Sequence, residues 1–171
     1  MKGVELIPCV SSEDNRGYFK KVYSSANDVS ITTSFNCKEI FYSKTIKHGV
    51  RGFHLQNGIA SNYRLISVVV GSVREFLLDL RPTSKTYGEV KEFDLHEGTY
   101  SILVPPGVAH AFYALETSIM LYLTTSVYMP EFDTGVRFDT VIDTTDLSIS
   151  SISIRDQNLP TLEEYKARYH D

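Results

Sequence analysis

Three observations predict an all-β fold, a two-sheet sandwich or barrel with a short C-terminal helix. Runs of β-forming residues recur at roughly ten-residue spacing. Turn signals separate them. The helical pattern is confined to the C-terminus. GVRGFHLQ, residues 49–56, reads as a strand. YRLISVVV (63–70) meets SVREFLLDLR (72–81) across Gly71-Ser72, a two-residue signal for a type II′ hairpin because glycine accepts positive φ. KEFDLHEGTYSILVPPG (91–107) reads as strand, Gly98 turn and strand, and HAFYAL and SIMLYLTTSVY add two more runs. SSANDVSITTSF (24–35) is a polar connection expected to hold a helical turn. In NLPTLEEYKARYH (158–170), Thr161 is placed to cap a helix with acids in its first turn and Lys, Arg and His later.

Composition bounds the function. At 171 residues the chain is expected to form one domain, 1–171, with a full core. Hydrophobic residues make up 42%, with 11 Tyr and 9 Phe and no Trp, a lean toward strand formers. The net charge of −4 and pI near 5.7 exclude the basic footprint of a nucleic-acid binder, so an anionic ligand needs a local arginine cluster. Cys9 and Cys37 match neither a zinc spacing nor a CxxC pair. They are expected to be free thiols in a reducing cytosol, with a disulfide as the alternative. No apolar run approaches the ~18 residues of a membrane span, and the polar N-terminus is no signal peptide, so a cytoplasmic location is expected.

Two histidine motifs carry the candidate chemistry. GVRGFHLQNG (49–58) sets Arg51 and His54 among apolar and amide neighbours. Its imidazole is open to three roles: metal ligand, proton carrier, or buried side chain with a satisfied hydrogen bond. VPPGVAHAF (104–112) enforces a turn and then places His110 on a strand beside small residues. Together they resemble the two histidine-bearing halves of a cupin barrel, the second as P-x-G-x-x-H at residues 105–110. The first half of a metal cupin carries H-x-H and a nearby glutamate. Here Leu55 and Gln56 follow His54, and the next glutamate is Glu75. Two plausible ligands fall short of the three or four a metal centre needs, which favours acid–base or oxyanion roles.

Further motifs, in order, resemble the dTDP-4-dehydrorhamnose 3,5-epimerase family. DNRGYFKKVY is similar to its D-x-R-G-x-F, VRGFHLQ to its R-G-L-H-x-Q, and LVPPGVAHAF to its I-P-x-G-x-A-H-G-F. VVVGSVREFLLDLRPTSKTYGEV resembles its V-x-G-x-V-x-D-V-x-x-D-L-R-x-x-S-x-T-x-G. YMPEFDTGVRFD and SIRDQNLPTL resemble its Y-x-P-x-x-x-x-G-I-x-W-x-D and S-x-K-D-x-x-x-P-x-L.

The resemblance implies a jelly-roll barrel that works without metal or cofactor on a nucleotide-diphospho 4-keto-6-deoxy sugar. It makes His54 the base that takes a proton from carbon next to the ketone, a task suited to an imidazole pKa near ~6.5. Asp156, which by itself reads as an Asx-turn residue before Pro160, becomes the carboxylate that orients His54. Tyr128 becomes the acid on the opposite face. Arg64 stands where the family has a lysine donor for the enolate oxygen, with His110 and Arg51 as further donors for the ketone or diphosphate. Arg16 and Phe19 are expected to hold diphosphate and base on a segment that reaches a neighbouring subunit, which implies a homodimer. One inner sheet is expected to carry His54, Arg64, His110 and Tyr128 into one cavity.

Departures from the family pattern fall at Lys21 in place of glutamate, at Glu39 in the segment aligned with Q-D-N-x-S, and at Phe138 in place of tryptophan. These positions, Glu39 among the substrate contacts, suggest conserved chemistry on another nucleotide, such as GDP or CDP, or another sugar. Alternatives are a metal-dependent cupin, a non-catalytic sugar-nucleotide-binding cupin, and a ketoisomerase that moves the carbonyl.

Overall fold

Alternating strands build two stacked sheets. The computed structural model describes residues 1–24 and 35–169; residues 25–34 of the polar connection, with the helical turn expected there, lie outside the described residues. One sheet has the order β1 (Glu5–Pro8), β9 (Tyr100–Val104), β6 (Arg64–Val70), β11 (Ser118–Thr124) and β4 (Glu39–Thr45). The other has β12 (Asp133–Gly135), β5 (Gly49–Gln56), β10 (Val108–Ala114), β7 (Ser72–Asp79) and β8 (Val90–His96), with β13 (Ser151–Ile152) added parallel to β5. Val10–Asp14 (β2) and Gly17–Lys21 (β3) form a separate hairpin.

The predicted hairpin at Gly71-Ser72 is not one. β6 pairs with β9 and β11, whereas β7 pairs with β8 and β10 in the opposite sheet. Gly71, at φ +85°, carries the chain from one sheet to the other, and a Cβ there would meet Ser118 Oγ at 2.6 Å. Such a crossing is what a jelly-roll requires of a tight turn. The Gly98 turn makes the reverse crossing, from β8 to β9.

Period-two alternation divides the apolar residues among three cores. Ile66, Val73, Leu77, Val104, Phe112 and Met120 meet between the sheets. Burying such side chains contributes roughly 1.5–3 kcal/mol each. Phe53, Phe76, Leu78 and Tyr113 point out of the second sheet, where Val136, Phe138 and Tyr165 cover them. Leu65, Leu103 and Leu123 point out of the first sheet against Ile7 and Phe35.

The C-terminal cover is fixed by caps. Thr161 accepts from the backbone N of Glu164 at 3.1 Å, and Glu164 accepts from the backbone N of Thr161 at 2.8 Å. This reciprocal box starts α2 (Leu162–Tyr169) at the predicted residue. A one-turn helix, α1 (Ile154–Gln157), precedes it, capped by Ser153, whose Oγ accepts from the backbone N of Asp156. Cys9 and Cys37 are free thiols, and among the described residues no helix is long and apolar enough to cross a membrane.

Candidate active site

Arg51 and His54 are three residues apart on β5, and strict alternation would send them to opposite faces. A β-bulge resolves this. His54 lies opposite His110, and Arg51 lies opposite Phe112, so three steps on β5 match two on β10. The extra residue resets the alternation. Val50 and Phe53 then both point outward into the covered core, while Arg51 and His54 both line the space between the sheets. Gly52 sits in the bulge at φ +109°, where a Cβ would lie 2.4 Å from His110 O and 2.6 Å from Ala111 Cα.

The bulge also anchors a carboxylate. Gly52 N donates to Asp156 Oδ2 at 3.2 Å, and Asp156 Oδ1 meets His54 Nε2 at 2.7 Å. Burial alone would push the Asp156 carboxyl up. The hydrogen bond and charge of His54, with Gly52 N and Ser153, outweigh it and hold Asp156 below the usual carboxylate range. The Asp156 side chain is 4% exposed and that of His54 19%. Holding Nε2 on Asp156 leaves Nδ1 as the His54 nitrogen without a protein hydrogen bond among the described residues.

A second pair lies deeper. His110 Nδ1 and Glu75 Oε1 are 2.9 Å apart, both buried. Burial raises the Glu75 carboxyl well above the usual range, with Arg64 partly opposing. Burial, then Arg64 and His54, lowers His110 well below its usual value. Both directions favour an uncharged pair. Glu75 Oε2 and Arg64 Nε are buried with no hydrogen-bond partner among the described residues, and Arg64 lines the cavity. Such groups are costly unless a ligand or water satisfies them.

These side chains converge on one cavity of about 230 Å³ at one end of the sandwich. β4 contributes Glu39, Phe41 and Ser43, and β11 contributes Tyr122 and Thr124. Burial pushes the Tyr122 phenol up. Tyr128 closes the mouth, 54% exposed, with Oη donating to Asp133 Oδ2 at 3.1 Å. Among the described residues no group of three or more His, Cys, Asp or Glu is arranged to hold a metal.

The expected single inner sheet is corrected. His54 and His110 come from one sheet and Arg64 from the other, while Tyr128 stands on the connection after β11. Arg16 and Phe19 lie on the β2–β3 hairpin, outside the cavity of their own chain, with Arg16 bonded to Asp14. Phe138 is not a substrate-side position. It is buried against Phe53 and Phe76 in the outward core.

Sequence reasoning missed Glu75, Asp133 and Arg155. Glu75 had a signal, because it is the charged member of the inward-facing series Val73, Glu75, Leu77 on β7. Asp133 and Arg155 lie in adjoining segments whose meeting no local pattern announces.

Fold and site together define a cupin-like double-sheet protein whose cavity holds a His–Asp pair, a buried His–Glu pair and a phenol at its mouth. Its relatives narrow this further. The family model for dTDP-4-dehydrorhamnose 3,5-epimerase matches residues 1–164. The Methanothermobacter thermautotrophicus dTDP-4-dehydrorhamnose 3,5-epimerase is 31% identical over 128 residues, 74% of this chain and 69% of the relative. The crystal structure of the Sulfolobus tokodaii dTDP-4-dehydrorhamnose 3,5-epimerase superposes with a TM-score of 0.87 at 31% identity, covering 96% of this chain and 93% of that one. A 4-keto-6-deoxy sugar epimerase from the novobiocin cluster of Streptomyces spheroides gives 0.88 at 25% identity, over 98% and 87%. The chain belongs to the dTDP-4-dehydrorhamnose 3,5-epimerase family.

Proposed function

We propose that this chain epimerises a nucleotide-diphospho 4-keto-6-deoxy sugar by moving protons at the carbons flanking the ketone. The observation that carries the reading is the buried carboxylate 2.7 Å from the imidazole of His54, in a cavity that Tyr128 also lines. The ketone makes its neighbouring C–H acidic. His54 takes that proton and becomes imidazolium, stabilised by Asp156. The electron pair moves onto the carbonyl oxygen as an enolate, which needs donors preorganised in a dry site. Arg64, whose Nε has no hydrogen-bond partner among the described residues, fits that role, and His110 and Arg51 line the same space. Tyr128 gives its proton to carbon from the other face, and solvent returns the proton balance between phenol and imidazole.

Glu39 and Lys21, where the family has other residues, support a substrate whose nucleotide or sugar differs from the family's usual one. Arg16 and Phe19 belong, in this reading, to the cavity of a second copy. The hairpin that bears them projects with Tyr18 and Phe19 exposed, and edge strand β4 presents Ile40 and Tyr42. A homodimer of the 19.3 kDa chain would cover these surfaces, and light scattering at twice that mass is the expected result.

The decisive experiment follows deuterium from solvent into C3 and C5 by NMR, with dTDP-, GDP- and CDP-linked 4-keto-6-deoxy sugars. Incorporation with at least one, lost in His54→Asn, is expected. Binding without incorporation for all three would leave a sugar-nucleotide-binding protein. Calorimetry showing thymidine diphosphate bound more tightly than guanosine or cytidine diphosphate would refute the altered nucleotide.

A further inference from the structure

Tyr128 is fixed by more contacts than a solvent-facing acid needs. Its backbone N donates to Glu39 Oε2 at 3.1 Å. Gln56 holds both neighbours, accepting from Met129 N at 2.7 Å and donating to Val127 O at 3.4 Å. Strands from both sheets thus pin residues 127–129, leaving the phenol's torsions as the remaining freedom. Its hydroxyl has one protein partner among the described residues, Asp133 Oδ2. Arg155 Nη2 donates to that same oxygen. The Asp133 side chain is only 11% exposed, although it stands at the cavity mouth.

We propose that Asp133, braced by Arg155, is the positioning residue for the Tyr128 phenol and thereby sets whether proton exchange at a substrate carbon ends in inversion. The proposal rests on the epimerase reading above. A phenol whose O–H donates to a carboxylate is aimed but not yet free to protonate carbon. Arg155 occupies one lone-pair direction of Oδ2 and draws charge from it. That fixes the direction left to the phenol and weakens the carboxylate's grip. The two reacting arms are joined in the chain, because Arg155 directly precedes Asp156, the partner of His54. β12 also sets Asp133 opposite Gln56. His54 sits on a different anchor, so its abstraction step does not need the Asp133 contact. Losing the clamp therefore splits exchange from inversion instead of slowing both.

The test uses the full chain with a dTDP-linked 4-keto-6-deoxyhexose, or whichever nucleotide form exchanges fastest, in deuterium oxide. Deuterium incorporation and the fraction of exchange events that invert are measured for wild type, Asp133→Asn, Arg155→Met and Arg155→Lys. In Asp133→Asn we expect incorporation within about threefold of wild type and inversion per exchange down about tenfold or more. Arg155→Met should also lower inversion, and Arg155→Lys, which keeps the charge, should restore most of it. A second readout is the titration of the Tyr128 ring by tyrosine-labelled NMR, assigned with Tyr128→Phe. Burial, the Asp133 charge and the Asp133 hydrogen bond raise this phenol's pKa, and Arg155 opposes them. Its midpoint should therefore fall in Asp133→Asn and rise in Arg155→Met. Loss of exchange and inversion in equal proportion, or an unchanged ratio, overturns the proposal. If wild type exchanges no substrate, the epimerase reading fails by itself. The Tyr128 midpoints then judge the clamp, and equal midpoints in wild type and variants overturn it. Should Asp133→Asn not fold, the Arg155 pair decides by the same two readouts.

Discussion

Asp156→Asn is the sharpest single test of the acid–base site, because both carboxylate oxygens are already in use. Oδ1 meets His54 Nε2 at 2.7 Å, and Oδ2 accepts from Gly52 N at 3.2 Å. An asparagine has one acceptor for these two demands. With its oxygen on His54, its amide opposes the Gly52 N–H, donor against donor in a buried place, at about 1–3 kcal/mol. With its oxygen on Gly52, it donates to Nε2. The imidazole must then carry its proton on Nδ1, the nitrogen needed as base. Either way the negative charge is lost. Two unit charges about 4 Å apart in an effective dielectric near ~20 interact by about 4 kcal/mol, which would be withdrawn from the imidazolium formed during abstraction. The expected loss of deuterium incorporation is therefore about a thousandfold. Solvent exchange by NMR measures it, with thermal unfolding to show that the fold survives. A loss below about tenfold would refute the argument that Asp156 stabilises a charged His54.

Four other outcomes follow from the geometry. Gly52→Ala should destabilise by about 2–4 kcal/mol and cut exchange together, because positive φ and a 2.4 Å approach to His110 O leave no room for Cβ; calorimetric unfolding checks it. Glu75→Gln should change stability by less than about 1 kcal/mol, since burial favours the uncharged acid, whereas Glu75→Ala should cost about 3 kcal/mol; denaturant titration separates them, and equal losses would refute the neutral pair. Asp79 accepts from Arg81, Ser84 and Thr86, and although burial raises its carboxyl, those bonds outweigh it and hold it far below its usual value. Its folded pKa thus lies under the unfolded ~3.9, so its stabilisation is full above that value and fades as pH falls toward the folded one; Asp79→Asn should flatten this acid limb in a stability–pH profile. Tyr128→Phe should keep the fold and exchange at the first carbon while losing inversion, read by product NMR.

What was legible in the sequence is what alternation and capping encode. The strand runs between residues 49 and 124 and the capped C-terminal helix follow from residues a few places apart, as does the inward series of β7, which passed unread. Which strands pair does not. Gly71-Ser72 looks the same whether the chain folds back in its own sheet or steps to the other, and only the pairing of β6 with β11 and of β7 with β10 decides. The bulge at Gly52 was hidden for a related reason. It breaks the period-two rule by which faces are read, and strict alternation would put Arg51 and His54 on opposite faces. Phe138 erred in the other direction. Its place in a motif suggested substrate contact, but its ring completes the core behind β5 and β7. Asp133 and Arg155 escaped because their meeting depends on how α1 docks near β12.

The two histidines show how one scaffold assigns different work to like groups. They face each other across β5 and β10 with ring centroids 6.3 Å apart, too close for both to carry charge cheaply. Each has its own carboxylate, so partner type does not distinguish them. Depth does. His110 is 5% exposed, and burial with the neighbouring Arg64 and His54 keeps it neutral. Its partner Glu75 is buried as well, and burial raises that carboxyl well above its usual range. His54 lies nearer the cavity mouth, and its partner Asp156 receives Gly52 N and Ser153, which keep that carboxylate ionised. The carboxylate held below its usual range, suited to stabilise an imidazolium, therefore stands beside His54. Pairs of titratable groups pushed apart by environment mark acid–base assignments. Under the proposed function, depth and the hydrogen bonds to Asp156 favour His54 as the proton carrier and leave His110 to neutral contacts. Exchanging those environments, for instance by opening the Glu75 side to water, should put charge on His110 and slow abstraction at His54 through repulsion, even with the His54–Asp156 pair untouched.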